Sequence, residues 1–281
     1  MKNSTPRPPK NTEPFSQEII LRGLGTKTFG RPTLCLESVS STNDTALLLA
    51  QEGAPEGAVV TAEVQTNGRG RQGRRWVVKQ GKSLAFSIIL KPKLPLDEIS
   101  EITLAAAVAV AWTLEAYRIH PKIKWPNDLL LEGKKVCGIL TELGAKKDKI
   151  SPVILGIGIN LNQVPGDFPK DLRENATSLR IFSRKKINRA VFFQRLLLNL
   201  EDTYRKVTER KFPKVLGEWK KRNVTLGSQV RVSQAHRDFY GQAVDLDEKG
   251  ALLIRTDVGV VERITSGDVE ILRLRKRKRR S

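Results

Sequence analysis

The chain is organised around the segment QTNGRGRQGRRW, at residues 65–76, which contains three glycines and four arginines. Glycine lets the backbone approach a ligand closely, and the planar arginine side chain suits phosphate and carboxylate oxygens. In the apolar run just before it, Val60, Ala62 and Val64 alternate with their neighbours as in a β-strand. We therefore predict an anion-binding loop that leaves the end of a strand.

Taken alone, this segment admits other interpretations. It matches neither the dinucleotide-binding fingerprint nor the phosphate-binding loop that ends in Lys-Ser or Lys-Thr. A single Gly/Arg run is more often a solvated loop or a contact to nucleic acid. The neighbouring motifs therefore decide between these interpretations.

Length, composition and charge limit the classes of protein to which this chain can belong. A chain of 281 residues with 39% hydrophobic residues suggests one large domain plus a small one. The formal net charge of +20 favours anionic partners or surfaces. Part of this charge lies in residues 274–281, a run of like charges that we expect to be a disordered tail. We also expect a flexible tail at residues 1–15.

Neither a signal peptide nor an apolar stretch of about 20 residues, the length that spans a membrane, is visible in the sequence. Cys35 and Cys137 lie in apolar, strand-like runs, as reduced core residues do, and no metal-ligand spacing occurs. We therefore expect a cytoplasmic protein without a membrane partner.

A second motif, SSTND at residues 40–44, follows a strand predicted at residues 33–39. Ser41, Thr42 and Asn43 carry side chains that commonly cap helices, and we predict a helix from here to about Gln51. A helix cap is the simpler interpretation. The N-terminus of a helix, with free N–H groups and hydroxyls beside it, also suits a polar ligand.

A third motif, IKWPNDLLL at residues 123–131, places Asn127 and Asp128 at a turn between apolar segments. The simplest interpretation is a strand, a turn stabilised by the Asn or Asp side chain, and a second strand. The same residue types, with Lys124, also suit a purine and a phosphate-bound Mg²⁺. Lys135 begins the next predicted strand, where a surface lysine is the usual interpretation.

Two glycines interrupt the apolar strand VILGIGINLN at residues 153–162. Gly156 and Gly158 lie on the same side of the pleat, because side chains alternate along a strand. Glycines inside a strand often mark the close approach of a ligand or of another backbone.

The spacing of apolar residues predicts a buried helix at residues 97–117 and a long amphipathic helix at residues 187–211. Five short, strand-like segments separated by turns follow from Gln229, which predicts a small SH3-like barrel. We therefore predict an α+β protein with a mixed β-sheet and helices in a catalytic domain at residues 16–222. The barrel would occupy residues 223–273.

Together the motifs closely resemble the biotin protein ligase family, biotin–[acetyl-CoA-carboxylase] ligase. The resemblance covers roughly residues 37–162, and the family also carries a small C-terminal barrel. The Gly/Arg loop and the KWPND segment are specific in combination, at this order and spacing. The resemblance implies a class II synthetase-like catalytic domain.

The resemblance also implies an ATP-dependent reaction in two steps. Biotin and ATP, with Mg²⁺, would form biotinyl-5′-AMP and pyrophosphate. Biotin would then pass to a lysine of a biotin carboxyl carrier protein, a subunit of acetyl-CoA carboxylase or of a related carboxylase. No side-chain nucleophile is required, in agreement with the absence of a Ser/His/Asp or Cys/His arrangement from the sequence.

The same resemblance implies roles for individual residues. Biotin or biotinyl-AMP would be bound by a set drawn from the second motif, the loop and the strand at Lys135: Ser41, Thr42, Asn43, Gln65, Arg69, Gly70, Arg71, Lys135 and Gly138. ATP or the adenylate would be bound by Arg71, Lys124, Asn127 and Asn160. The catalytic residues would be Lys135, Arg71 and Asp128, where Lys135 neutralises carboxylate and phosphate oxygens and Asp128 binds Mg²⁺ or orients Lys135.

Bifunctional members of the family carry a winged-helix DNA-binding domain before the catalytic domain. Only about 35 residues precede the first catalytic strand here, so we expect no sequence-specific DNA binding. The basic tail could contact nucleic acid weakly, and a homodimer is compatible with the resemblance. Two rival interpretations are a nucleic-acid-binding module and a lipoate ligase with the same adenylate chemistry. The Gly-Arg-Gly-Arg sequence favours biotin.

Overall fold

The structure is a computed structural model that describes residues 15–144, 152–234 and 237–272. The tails predicted at residues 1–15 and 274–281 lie outside these ranges, apart from Phe15. Within the described ranges, no helix is both long enough and apolar enough to cross a membrane.

Seven strands form the larger sheet: β1 (Thr33–Val39), β2 (Val59–Gln65), β3 (Ser83–Leu90), β4 (Lys122–Lys124), β5 (Asp128–Leu131), β6 (Lys134–Leu143) and β7 (Val153–Asn160). Their spatial order is β1-β2-β3-β7-β6-β5-β4. Strands β1 and β2 are parallel, and every other neighbouring pair is antiparallel. The predicted mixed sheet is confirmed.

The α-helices of the described residues are α1 (Gln17–Arg22), α2 (Thr42–Gln51), α3 (Ser100–Glu115), α4 (Leu179–Ser183), α5 (Arg189–Thr208) and α6 (Phe212–Arg222). The helix predicted at residues 97–117 is shorter in the structure, because Leu96–Glu98 forms a separate 3₁₀ turn before α3. Helix α3 is Ala-rich and buried along most of its length. Such a helix belongs between two layers, and α3 packs against the sheet as well as against α5 and α6.

Side-chain alternation along the strands gives the sheet two different faces. On one face, Phe86 and Ile88 of β3 join the large core that contains α3 and α5. On the other face, Ile89 of β3 and Ile154 of β7 pack with Ala46 of α2. Helix α2 covers only part of this second face, so the rest of it is free to form a cavity.

The C-terminal part forms a separate antiparallel sheet from β8 (Gln229–Gln234), β9 (Arg237–Leu246), β10 (Leu252–Thr256), β11 (Val261–Ile264) and β12 (Asp268–Ile271). The order β11-β10-β9-β8-β12 places β8 and β9 near the centre. Val232, Ile254 and Val269 are buried inside this unit. The small SH3-like unit predicted from the sequence is confirmed.

Trp125 connects the unit built on the larger sheet with the C-terminal unit. Its side chain is buried, its backbone N–H donates to the Thr225 hydroxyl at 2.9 Å, and its indole Nε1 donates to the Gly250 carbonyl at 3.1 Å. The C-terminal unit is thereby held beside the turn between β4 and β5, where the third sequence motif lies.

Candidate active site

The floor of the cavity that the predicted site residues line includes small residues on three neighbouring strands. Ala85 of β3 lies opposite Gly158 of β7, which in turn lies opposite Gly138 of β6. One step along, Ser87 of β3 lies opposite Gly156. These positions alternate with the buried core residues, so they share the face on which α2 packs. The absence of large side chains on this face creates the cavity.

The strand glycines make room for side chains of the same chain. A Cβ atom at Gly156 would collide with the amide of Asn43, and one at Gly158 would collide with the indole ring of Trp76. The sequence pattern predicted the close approach of a ligand or of another backbone, whereas the groups that approach these glycines in the structure are side chains. The structure identifies Asn43 and Trp76 as the groups that approach, and both line the cavity.

The beginning of α2 supplies neutral hydrogen-bonding groups. Ser41 precedes the helix, but its side chain makes no capping hydrogen bond, so the helix-cap interpretation does not hold for its hydroxyl. The backbone N–H of Thr42 donates to Gln65 Oε1 at 2.8 Å. This bond joins the start of α2 to the end of β2, and all three residues line the cavity.

Acidic side chains on α2 and β6 hold the first arginine of the Gly/Arg loop. Arg69 donates to both oxygens of Asp44, at 2.8 and 2.6 Å, and to the carboxylate of Glu142. The hydrogen bond to Asp44 is the main cause that raises the pKa of Arg69. Arg69 and Arg75 also form a backbone bridge that closes the base of the loop.

The C-terminal unit holds the rest of the loop. Arg71 Nη2 donates to the Gly267 carbonyl at 3.0 Å, and Arg71 Nη1 donates to Asn127 Oδ1 at 3.4 Å. Burial lowers the pKa of Arg71, although Asp128 and Asp268 act in the opposite direction. Arg74 forms an ion pair with Asp268. The cavity is therefore completed by residues of both units.

Lys135 and Asp128 form an ion pair on the wall of the cavity, with 2.6 Å between Nζ and Oδ1. The backbone of Lys135 is fixed by hydrogen bonds to Asn175 and Thr177. Its ammonium lies 5.8 Å from the centre of the Trp76 ring. Lys135 is thus a held cation inside the site, not a solvated surface lysine.

Most of the residues predicted for the site meet in this one cavity: Ser41, Thr42, Asn43, Gln65, Arg69, Gly70, Arg71, Asn127, Asp128, Lys135 and Gly138. Lys124 and Asn160 do not line it. Lys124 pairs with Asp128 through the β4–β5 ladder, and the buried Asn160 side chain accepts a hydrogen bond from Gln163. A contact between either residue and an adenylate stays a prediction.

The sequence analysis missed Ser87, Glu142, Gly267 and Asp268. Gly267 and Asp268 line the cavity, while Ser87 and Glu142 bond to residues that do. Asp268 is the first residue of β12 in the C-terminal unit, and nothing in the local sequence relates this position to the loop. Ser87 is one of two serines in the mainly apolar β3, and its position opposite Gly156 is known only from the structure.

Comparisons with known proteins agree with this arrangement. Residues 35–160 match the Biotin/lipoate A/B protein ligase family, and residues 225–272 match the Biotin protein ligase C terminal domain. The chain is 42% identical over 258 residues to the bifunctional ligase/repressor BirA of Bacillus subtilis (strain 168), a match that covers 92% of this chain and 79% of that protein. The chain belongs to the biotin/lipoate A/B protein ligase family.

Other relatives show which class of ligase within this family the chain resembles. The biotin–[acetyl-CoA-carboxylase] ligase of Mycobacterium tuberculosis is 32% identical over 277 residues, which cover 95% of this chain and 97% of that protein. The structure of the biotin protein ligase from Aquifex aeolicus in complex with biotin and ATP superposes with a TM-score of 0.75 at 31% identity, covering 87% of this chain and 100% of that one. Within the family, these relatives and the C-terminal match are those of biotin protein ligases, which confirms the resemblance inferred from the sequence.

Proposed function

We propose that this protein activates biotin with ATP as biotinyl-5′-AMP and transfers it to a lysine of a biotin carboxyl carrier protein. One observation carries the proposal: a single cavity is lined by two chemically different sets of groups. Ser41, Thr42 and Gln65 offer neutral hydrogen-bonding groups, and Arg71 and Lys135 offer cations. A ligand with a neutral polar ring and a carboxylate fits this division.

In the first step, a biotin carboxylate oxygen attacks the α-phosphorus of ATP and the bond to pyrophosphate breaks. Both reactants are anionic, so positioned cations and a fixed geometry supply the catalysis. Lys135 is held by its backbone bonds and by Asp128, and Arg71 is held by Asn127 and Gly267. These two residues are the proposed catalytic cations, and Asp128 is the proposed orienting residue.

In the second step, the neutral amine of the acceptor lysine attacks the carbonyl carbon of the mixed anhydride, AMP leaves, and an amide forms. The acceptor is a carrier domain of acetyl-CoA carboxylase or of a related carboxylase. We place the enzyme in the cytoplasm. The absence of sequence-specific DNA binding, the weak nucleic-acid contact by the basic tail and the homodimer all stay predictions.

Mg²⁺ is part of the proposal as a companion of ATP. Among the described residues there is no group of three or more His, Cys, Asp or Glu side chains that could hold a metal ion. Mg²⁺ is commonly held by substrate phosphates with one or two carboxylates, and Asp128 on the cavity wall fits that donor set. The ion would supply charge neutralisation at the phosphates.

We also propose the domain boundaries expected from the sequence, with the catalytic domain at residues 16–222 and the barrel at residues 223–273. The proposal is supported by the point in the chain at which the strands of the smaller sheet begin. Helix α6 ends at Arg222, and the first strand of the smaller sheet begins at Gln229.

The test of the function is ATP–pyrophosphate exchange by the purified protein with MgATP, with biotin or lipoate as the acid. We expect exchange with biotin and none with lipoate. Transfer of labelled biotin to a purified carrier domain would then establish the second step. Exchange with lipoate alone would make the protein a lipoate ligase, and folded protein without either activity would refute the proposal.

A further inference from the structure

The side chain of Arg69, near the start of the Gly/Arg loop, is enclosed by two carboxylates. Its Nη1 and Nη2 donate to the two oxygens of Asp44 at 2.8 and 2.6 Å, and its Nε donates to Glu142 Oε1 at 3.2 Å. Nη2 also donates to both oxygens of Glu142, at 3.2 and 3.1 Å. Asp44 belongs to the first turn of α2 and Glu142 belongs to β6. One guanidinium group therefore joins the loop to two elements beside the cavity.

These contacts leave Arg69 little capacity to bind an anion. A guanidinium group has five N–H bonds on three nitrogens, and all three nitrogens of Arg69 already donate to carboxylates. Two ionised carboxylates beside one guanidinium group also leave negative charge in excess. Like charges repel, so this group of three side chains does not attract the carboxylate of biotin or the phosphates of ATP. The Arg69 side chain lines the cavity without offering it a free cation.

Arg71, the next arginine in the loop, is held in a different way. Its Nη2 donates to the Gly267 carbonyl at 3.0 Å and its Nη1 donates to Asn127 Oδ1 at 3.4 Å, and both of these partner groups are uncharged. Within the described ranges, no carboxylate forms a hydrogen bond or an ion pair with Arg71. Arg71 therefore keeps its positive charge for an anionic ligand, whereas the charge of Arg69 is used within the protein.

Hydrogen bonds within the loop connect the two arginines. Arg69 and Arg75 form a backbone bridge, and the backbone N–H of Gly70 donates to the Arg74 carbonyl at 2.6 Å. The segment that carries Arg71 lies between these paired positions. A displacement of residue 69 would therefore move the whole loop relative to the cavity.

We infer that Asp44 and Glu142 hold the Arg69 side chain as the anchor of the Gly/Arg loop, and that this anchor keeps the loop closed over the bound adenylate. The side chains of Arg69, Asp44 and Glu142 are positioning groups in this scheme. The inference rests on the proposed function, in which biotinyl-5′-AMP must stay bound until a carrier domain arrives. A mixed anhydride released into water hydrolyses, so a loop that opens slowly protects the intermediate.

The test compares the wild type with Asp44→Asn, Arg69→Gln and the double variant. Asp44 is suited to the test because its side chain is 44% exposed and, among the described residues, its carboxylate bonds to Arg69 alone. Each protein is loaded with labelled biotin and MgATP and separated from unbound substrates. The release of labelled biotinyl-AMP is then followed in an excess of unlabelled biotin. Asp202→Asn is the matched control, because that carboxylate also binds two cationic groups, Arg205 and Lys206, on α5.

Asp44→Asn and Arg69→Gln should each release the adenylate about tenfold faster than the wild type, the size of one hydrogen bond between charged groups. The double variant should also be about tenfold faster, because both changes break the same contact and their effects do not add. Asp202→Asn should release the adenylate at the wild-type rate. At saturating substrates, Asp44→Asn should form the adenylate as fast as the wild type, since Arg71 and Lys135 remain.

If Arg69 were an anion-binding residue screened by Asp44, Asp44→Asn would free its charge and slow the release of the adenylate. Slower or unchanged release from Asp44→Asn overturns the inference, and so do effects that multiply in the double variant. If Arg69→Gln does not fold, Asp44→Asn and Glu142→Gln decide. Each of these results, with a wild type that forms biotinyl-AMP, leaves the proposed function standing. A wild type that forms no biotinyl-AMP refutes both.

Discussion

Asp128 Oδ1 and Lys135 Nζ lie 2.6 Å apart, on adjacent strands of the hairpin formed by β5 and β6. Gly138 makes this contact possible. It lies opposite Asp128 in the ladder, and a Cβ atom there would come within 3.0 Å of Lys135 Cε. Because residue 138 has no side chain, Lys135 can lie across β6 and reach the carboxylate.

The first prediction concerns the cation of this pair. Lys135→Ala should lower the rate of biotin-dependent pyrophosphate exchange about 100- to 1000-fold, the effect of removing one positioned group that stabilises transition-state charge. The control is Lys134→Ala, because Lys134 is the exposed neighbour on the same strand. Equal rates for the two variants would exclude Lys135 from the reaction.

The second prediction concerns the contribution of the C-terminal unit. Asp268→Asn removes the partner that holds Arg74 at the cavity. We expect the KM for ATP to rise by up to about fivefold with the KM for biotin unchanged, since exposed ion pairs contribute about 0.2–1 kcal/mol. Asp238→Asn, which breaks the pair with Arg231 in the same unit, is the control. A lower KM for ATP would instead mean that Asp268 competes with the nucleotide for Arg74.

The third prediction tests the packing over the strand glycines. Gly158→Ala would force the Trp76 ring out of its position, and overpacking of this kind costs about 1–3 kcal/mol. Chemical denaturation should show this loss of stability, together with weaker biotin binding. Gly217→Ala should change the stability in the opposite direction. Gly217 lies inside α6 with free space around it, so alanine should stabilise the protein by about 0.5–1 kcal/mol.

The fourth prediction is a pH dependence of stability. Burial, with a smaller contribution from Glu98, raises the pKa of Glu101 in α3 to about 7, from an ordinary value of 4.5. The folded state therefore holds a proton that the unfolded state releases, and this residue's contribution to stability declines as pH rises from about 4.5 to about 7. Above about pH 7 Glu101 is ionised in the folded state as well, and its destabilising effect is complete.

Glu101→Gln removes this titration. The variant should exceed the wild type in free energy of unfolding by about 1–3 kcal/mol at pH 8. The difference should vanish as the pH approaches 4.5. Denaturant unfolding across that range measures it. A difference that stays constant with pH would show that Glu101 does not titrate in this way.

Local sequence patterns were sufficient to predict strands and helices such as β2 and α3, and most residues of the candidate site. The alternation before residue 65 predicted β2, and the helical spacing beyond Ile99 predicted α3, because these periods reflect burial on one side of a strand or helix. Ser41 shows the limit of this approach. Its residue type predicts a helix cap, yet its side chain makes no capping bond in the structure.

Residue type and periodicity are local properties, so the sequence alone indicates which chemical groups the protein has and on which helices and strands they lie. Which distant groups meet is known only from the folded structure. Arg71 and Gly267 are 196 residues apart, and Ser87 bonds to Asn43 across 44 residues. Such contacts depend on the order of strands in the sheet and on how the C-terminal unit packs, which no local pattern encodes.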